Sequence, residues 1–118
     1  MSRDARRIVL MARYTSLVGP SSGSFDFHSA PVNVREFSRA DVCTWRGSLG
    51  AGTATVKLQE SPDLATWSDK GTVTLSDHVE DVTTFTPLDT EWVRLKVTLT
   101  NDAKVTFWVV ADCSERGT

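Results

Sequence analysis

The chain holds two histidines, His28 and His78, each set among polar residues far from the other. General-base work needs a nucleophile or an orienting carboxylate beside the imidazole, and no G-x-S-x-G elbow, Gly-rich phosphate loop or His-x-x-x-His spacing accompanies either one. Each is expected to be a solvated or turn histidine, and no enzyme is expected. Acids gather at Asp77, Glu80, Asp81, Asp89 and Glu91, and again at Glu60, Asp63 and Asp69. Converging carboxylates suit hard cations such as calcium, but the alternating Asp/Asn spacing of a calcium loop is missing. These acids read as solubilising charge at strand ends, with no metal or other cofactor. Cys43 and Cys113 form no Cys-x-x-Cys pair, so buried reduced thiols are expected rather than a zinc site or a disulfide scaffold.

Tryptophan is the residue type here best suited to recognition, because its large flat ring anchors contacts. Trp45 and Trp67 are expected in the core. Trp92 and Trp108 occupy the polar phase of their segments, which directs them outward to stack on sugar rings, to pack beneath a neighbouring subunit, or equally to be covered by the chain's own loop or N-terminal arm. Lys96, expected across from Trp108, would add a cation–π contact of about 0.5–1 kcal/mol. Charge is split along the chain. Residues 1–50 carry seven Arg and no Lys against four acids, a net +3, while residues 51–118 carry six bases against eleven acids, a net −5. A subunit that docks a basic arm on an acidic neighbour suits such a split; a nucleic-acid partner would require more concentrated positive charge. The candidate binding residues are therefore Arg3, Arg6 and Arg7 of a flexible basic arm over residues 1–7, with Trp92, Lys96 and Trp108.

What must position these side chains is a set of short strands. Val93, Leu95, Val97 and Leu99 alternate with Arg94, Lys96, Thr98 and Thr100, and Val105, Phe107, Val109 and Ala111 alternate with Thr106, Trp108, Val110 and Asp112. That is the period-2 signature of strands with one buried face. Residues 91–113 are expected to form one long hairpin with a three-residue loop at Asn101-Asp102-Ala103, pairing Leu99 with Val105, Lys96 with Trp108 and Trp92 with Asp112. Further strands are expected over residues 8–14, 25–28, 32–37, 41–49, 53–61, 72–76 and 81–86. Turns are expected at Pro62-Asp63-Leu64 and Asp69-Lys70-Gly71, and loops over 18–24 and 47–52. The spacing gives about eight or nine strands in an antiparallel sandwich, and 118 residues suffice for one core over residues 8–118. The apolar run at residues 8–12 is too short for a signal peptide or a membrane span, so synthesis and retention in a cytoplasm are expected until the chain joins something larger.

The run Val56-Lys57-Leu58-Gln59-Glu60-Ser61-Pro62-Asp63-Leu64-Ala65-Thr66-Trp67, and the closing EWVRLKVTLTN…VTFWVVAD, resemble segments of small β-sandwich proteins of tailed bacteriophages. The resemblance covers residues 53–112. It implies a jelly-roll or immunoglobulin-like fold and a virion component, such as a capsid decoration or tail-associated protein. Its implied partners are capsid or tail proteins and further copies of itself, with no membrane. No functional residue is carried over. A carbohydrate-binding module stacking sugars on Trp92 and Trp108 is the alternative.

Overall fold

The alternating segments become two packed sheets. The computed structural model describes residues 5–115, and among them nine strands form: β1 (Ala5–Val18), β2 (Ser24–His28), β3 (Val32–Asn33), β4 (Arg39–Arg46), β5 (Thr53–Ser61), β6 (Ser68–Val73), β7 (Asp81–Phe85), β8 (Trp92–Thr100) and β9 (Lys104–Ser114). The first sheet has the order β1-β9-β4-β7, and the second β2-β8-β5-β6 with β3 also on β8; all the strand pairings are antiparallel. Partners nest around the β5–β6 connection. Outside it lie β4 with β7, then β2 and β3 with β8, then β1 with β9. A long antiparallel ribbon rolled into two sheets in this order is a jelly roll. This bears out the all-β sandwich and selects the jelly-roll option over the immunoglobulin-like one.

The roll corrects the expected hairpin. β8 and β9 lie in different sheets, so Asn101-Asp102-Ala103 arches over the end of the core instead of joining paired neighbours. Asn101 and Asp102 both adopt positive φ. The arch is tied to the loop after β1, with Asp102 N–H donating to the Pro20 carbonyl at 2.7 Å and Gly19 N–H to the Ala103 carbonyl at 2.6 Å. Burial alternates without a fault along β8. Leu95, Val97, Leu99, Val105, Phe107 and Val109 are all almost wholly buried. The inward faces were therefore read correctly while the partners were not. A hairpin and an arch both demand two alternating strands with a short polar link, and alternation reports a strand's buried face without reporting its neighbour.

Several boundaries also differ from expectation: β1 runs on to Val18, beyond the expected end at residue 14, the strand expected over 32–37 stops at Asn33, and the one expected over 72–76 is Ser68–Val73. Asp69-Lys70-Gly71 is strand, within β6, because Gly71 leaves room for the Phe85 ring of the other sheet; an added Cβ would stand 2.8 Å from its Cε1. Residues 5–7, assigned to the basic arm, are the start of β1, where Arg6 pairs with Cys113 and Arg7 with Asp112. Arg3 lies outside the described residues.

Cys43 and Cys113 are free and sit on opposite faces of the first sheet. Cys43 shares the outer face with Val110, whereas Cys113 pairs with Ala40 on the buried side. Burial pushes the Cys113 thiol up to about 11 and also raises that of Cys43. Since the thiolate is the reacting form, Cys113 is expected to react with a thiol reagent about 100-fold more slowly than an ordinary cysteine until the protein unfolds. Stopped-flow labelling in the native state and in denaturant checks this, and two rapidly labelled thiols in the native protein would contradict it.

Candidate functional site

On the outer face of the first sheet the register sets side chains in rows, one from each strand. Val9, Val110, Cys43 and Val82 stand abreast across β1, β9, β4 and β7. The end members Val9 and Val82 are 59% and 63% exposed, among the most exposed large apolar residues of the chain. In the next row Trp108 lies opposite Trp45. Thr44 pairs with Asp81, so the same register carried one residue beyond β7 places Glu80 beside Trp45. On the β1 side the ladder jumps from Met11↔Val109 to Thr15↔Phe107, leaving residues 12–14 to bulge against Trp108 alone. The bulge is closed by the Thr15 hydroxyl, which donates to the Ala12 carbonyl at 2.7 Å. It brings Arg13 over Trp108, with the guanidinium carbon 5.2 Å from the ring centroid. The row thus reads Arg13, Trp108, Trp45, Glu80.

These four residues line a recess of about 280 Å³. A neighbouring recess of about 390 Å³ extends over Val9, Cys43 and Val110. Beyond Trp45, His78 meets the indole edge-on at 5.7 Å, with its Nδ1 2.7 Å from Asp77 Oδ1. The row on the other side of the valines is polar and internally satisfied. Arg7 donates to Asp112 from Nε at 2.7 Å and from Nη2 at 3.0 Å, and Asp41 Oδ1 accepts from Arg39 at 3.2 Å and from Thr84 at 2.7 Å. The hydrogen bond from Arg7 holds the Asp112 carboxyl below its ordinary range. An apolar band thus crosses the sheet, with paired charges along one flank and a cation and an anion facing each other across the indoles.

The outer face of the second sheet is different in kind. Arg94 Nε donates to Gln59 Oε1 at 2.8 Å, and Gln59 Nε2 donates to Asp69 Oδ1 at 2.9 Å. Trp67 lies 4.2 Å from the Arg94 guanidinium carbon, with its indole N–H donated to the Leu64 carbonyl at 3.1 Å. That hydrogen bond follows from the turn after β5, where Asp63 Oδ1 accepts from Ala65 and Thr66 and where Ser61 Oγ accepts from Asp63 and Leu64. Hydrogen bonds from Thr66 and Ala65 lower the Asp63 carboxyl, and one from Gln59 lowers that of Asp69. Donors and acceptors here are spent on one another.

The structure separates the residues that were expected to act together. Trp108 is on the first sheet, whereas Trp92 and Lys96 belong to β8 of the second. Lys96 lies opposite Lys57 and His28, 3.7 Å from Asp26, and Trp92 lies opposite Ser61 and Asn33. The expected Lys96–Trp108 contact does not form, and Arg13 takes the place given to Lys96. A two-tryptophan sugar platform does not form either, because the two rings face away from each other across the sandwich. Trp108 is only 8% exposed. Trp45 and Trp67, expected in the core, are half-buried on the two outer faces. Among the described residues no cluster of three or more His, Cys, Asp or Glu is arranged to hold a metal ion.

The sequence matches no family model and no curated protein. The fold is shared with a solved protein. It is similar to the crystal structure of PBSX exported protein XepA, with a TM-score of 0.62 and 14% identity. The match covers 96% of this chain and 38% of XepA, so the chain spans well under half of that protein's length. At that identity the likeness is one of fold.

Proposed function

We propose that the chain is a non-enzymatic structural protein of a phage particle, or of a phage-derived exported assembly, that works through protein–protein contacts. The observation that carries this reading is the outer face of the first sheet, where a row ending in exposed Val9 and Val82 runs beside an indole pair on a four-stranded platform. A contiguous apolar band with polar borders is the composition of a protein-binding surface. Two supports set the context. The segments 56–67 and 91–112 resemble those of small phage β-sandwich proteins, and the fold is shared with the PBSX exported protein XepA. Capsid or tail proteins are the neighbours that this reading assigns, with synthesis in the host cytoplasm and final residence in the virion or outside the cell.

Mass spectrometry of purified particles produced by the genome that encodes the chain tests the reading. The protein is expected in stoichiometric amount, and Val82→Asp is expected to remove it from particles while leaving its melting temperature unchanged. Absence of the wild-type chain from particles and from the culture medium would overturn the proposal.

A further inference from the structure

Resting on the reading of this face as protein-binding, we infer that its first partner is a second copy of the chain, stacked face to face about a two-fold axis that runs parallel to the strands between β9 and β4. The order of residues across the sheet is what singles out this occupant. Such a rotation lays β1 on β7 of the partner subunit and β9 on its β4, while each row stays in line with itself. The row Arg13, Trp108, Trp45, Glu80 then meets its own reverse. Arg13 falls on Glu80 of the partner subunit, Glu80 on the partner's Arg13, and at the centre Trp45 of each chain meets the Arg13-covered Trp108 of the partner subunit. In the valine row Val9 falls on Val82 of the partner subunit, so the most exposed apolar ends cover each other. In the polar row Asp112 approaches Asp41 of the partner subunit, and both carboxylates are already held by arginines of their own chain, Arg7 and Arg39.

An isologous interface requires a surface complementary to itself. A row with a cation at one end, an anion at the other and like residues between meets that requirement, whereas the opposite choice of axis would set Arg13 on Arg13 and Glu80 on Glu80. Size is adequate as well. The 38 residues of β1, β9, β4 and β7, at about 3.4 Å of rise and about 4.8 Å of strand spacing, give a face of about 620 Å². Standard interfaces take about 600–1,000 Å² from each partner. Aligned packing of two sheet faces is a common solution for twisted sheets. The second sheet offers no such surface, because its polar side chains are bonded to one another.

Sedimentation equilibrium from micromolar to millimolar concentration tests the inference. The wild-type chain is expected to reach a mass near twice that of the 13.0 kDa protomer. Arg13→Glu alone and Glu80→Arg alone set like charges together at two symmetric places. Each is expected to weaken association about 100-fold or more. The double variant R13E/E80R restores opposite charges and is expected to restore the dimer. Circular dichroism confirms that each variant is folded, and Val82→Asp, which leaves the Arg13–Trp108 contact intact, is a second disrupting probe. A wild-type chain that stays monomeric at millimolar concentration would overturn the inference, as would a dimer indifferent to the single reversals or a folded double variant that stays monomeric. If the monomeric chain is nevertheless found in particles, the dimer fails and the particle role stands.

Discussion

Gly52→Ala is expected to lower stability by about 3 kcal/mol or more, although it adds a single methyl group on the surface. Gly52 has φ +66°, a conformation that costs an alanine about 1–2 kcal/mol. The added Cβ would also stand 1.8 Å from the Thr100 carbonyl oxygen and 2.7 Å from that of Asn101. Both obstacles are backbone, so no rotamer change relieves them. The loop has to lift away from the end of β8, and with it goes the start of β5, where Thr53 N–H donates to Thr100 Oγ1 at 3.0 Å and the two threonine hydroxyls meet at 2.7 Å. At about 4 °C per kcal/mol for a domain of this size, the melting temperature should fall by about 12 °C. Gly50 is the control, because an added Cβ there meets nothing within 4 Å. Gly50→Ala is expected to be neutral or slightly stabilising through the unfolded chain. Thermal unfolding followed by circular dichroism measures both, and a change below about 1 kcal/mol at Gly52 would show that the loop does not rest on β8.

The stretch around Gly52 shows how far the sequence could be read. GSLGAG reads as a flexible connection, and residues 47–52 do form a loop, but which glycine bears the tight approach depends on β8 lying beside β5. β5 was legible to the residue, since its alternation is clean and Pro62 stops it. β8 and β9 were legible as strands with the right buried faces and illegible as to partners. Only the nested order of the whole roll, a long-range property, assigns β8 to β2 and β5 and assigns β9 to β1 and β4. Short polar links are most often hairpin turns, so the local signal favoured the wrong neighbour.

The candidate site was legible in only one member, Trp108. Arg13 read as an interruption of an apolar run, because its position over the ring depends on a bulge that no residue type announces; residues 12–14 include neither Gly nor Pro. Trp45 was in the correct phase, opposite Val42 and Thr44, yet its size argued for the core. In fact the space between the sheets is filled by Val, Leu and Phe side chains, and the indoles are left outside. Lys96 was placed by the hairpin register and moved with it to the other sheet. Val9 and Val82 gave no signal, since single exposed valines are ordinary and their alignment with Val110 and Cys43 emerges only from pairing.

Trp108→Ala is the second large effect expected, and its size decides what the ring is for. A sugar-stacking tryptophan must present one open face, and its truncation should abolish binding while scarcely moving the melting temperature. Here the ring is 8% exposed, with Arg13 above it and Trp45 beside it across the strand pair. Truncating a buried tryptophan costs about 3–5 kcal/mol, and the lower end applies because this ring packs on the outer face, where Arg13 can settle into part of the space. The expected fall in melting temperature is about 12 °C. Arg13→Ala should cost far less, about 0.5–1 kcal/mol for the cation–π contact. It should also shift tryptophan emission to longer wavelength as water reaches the indole. A Trp108→Ala variant that melts within 3 °C of wild type would mean that the ring is uncovered in solution. The face would then have to be read as a stacking surface rather than as the packed centre of a protein contact.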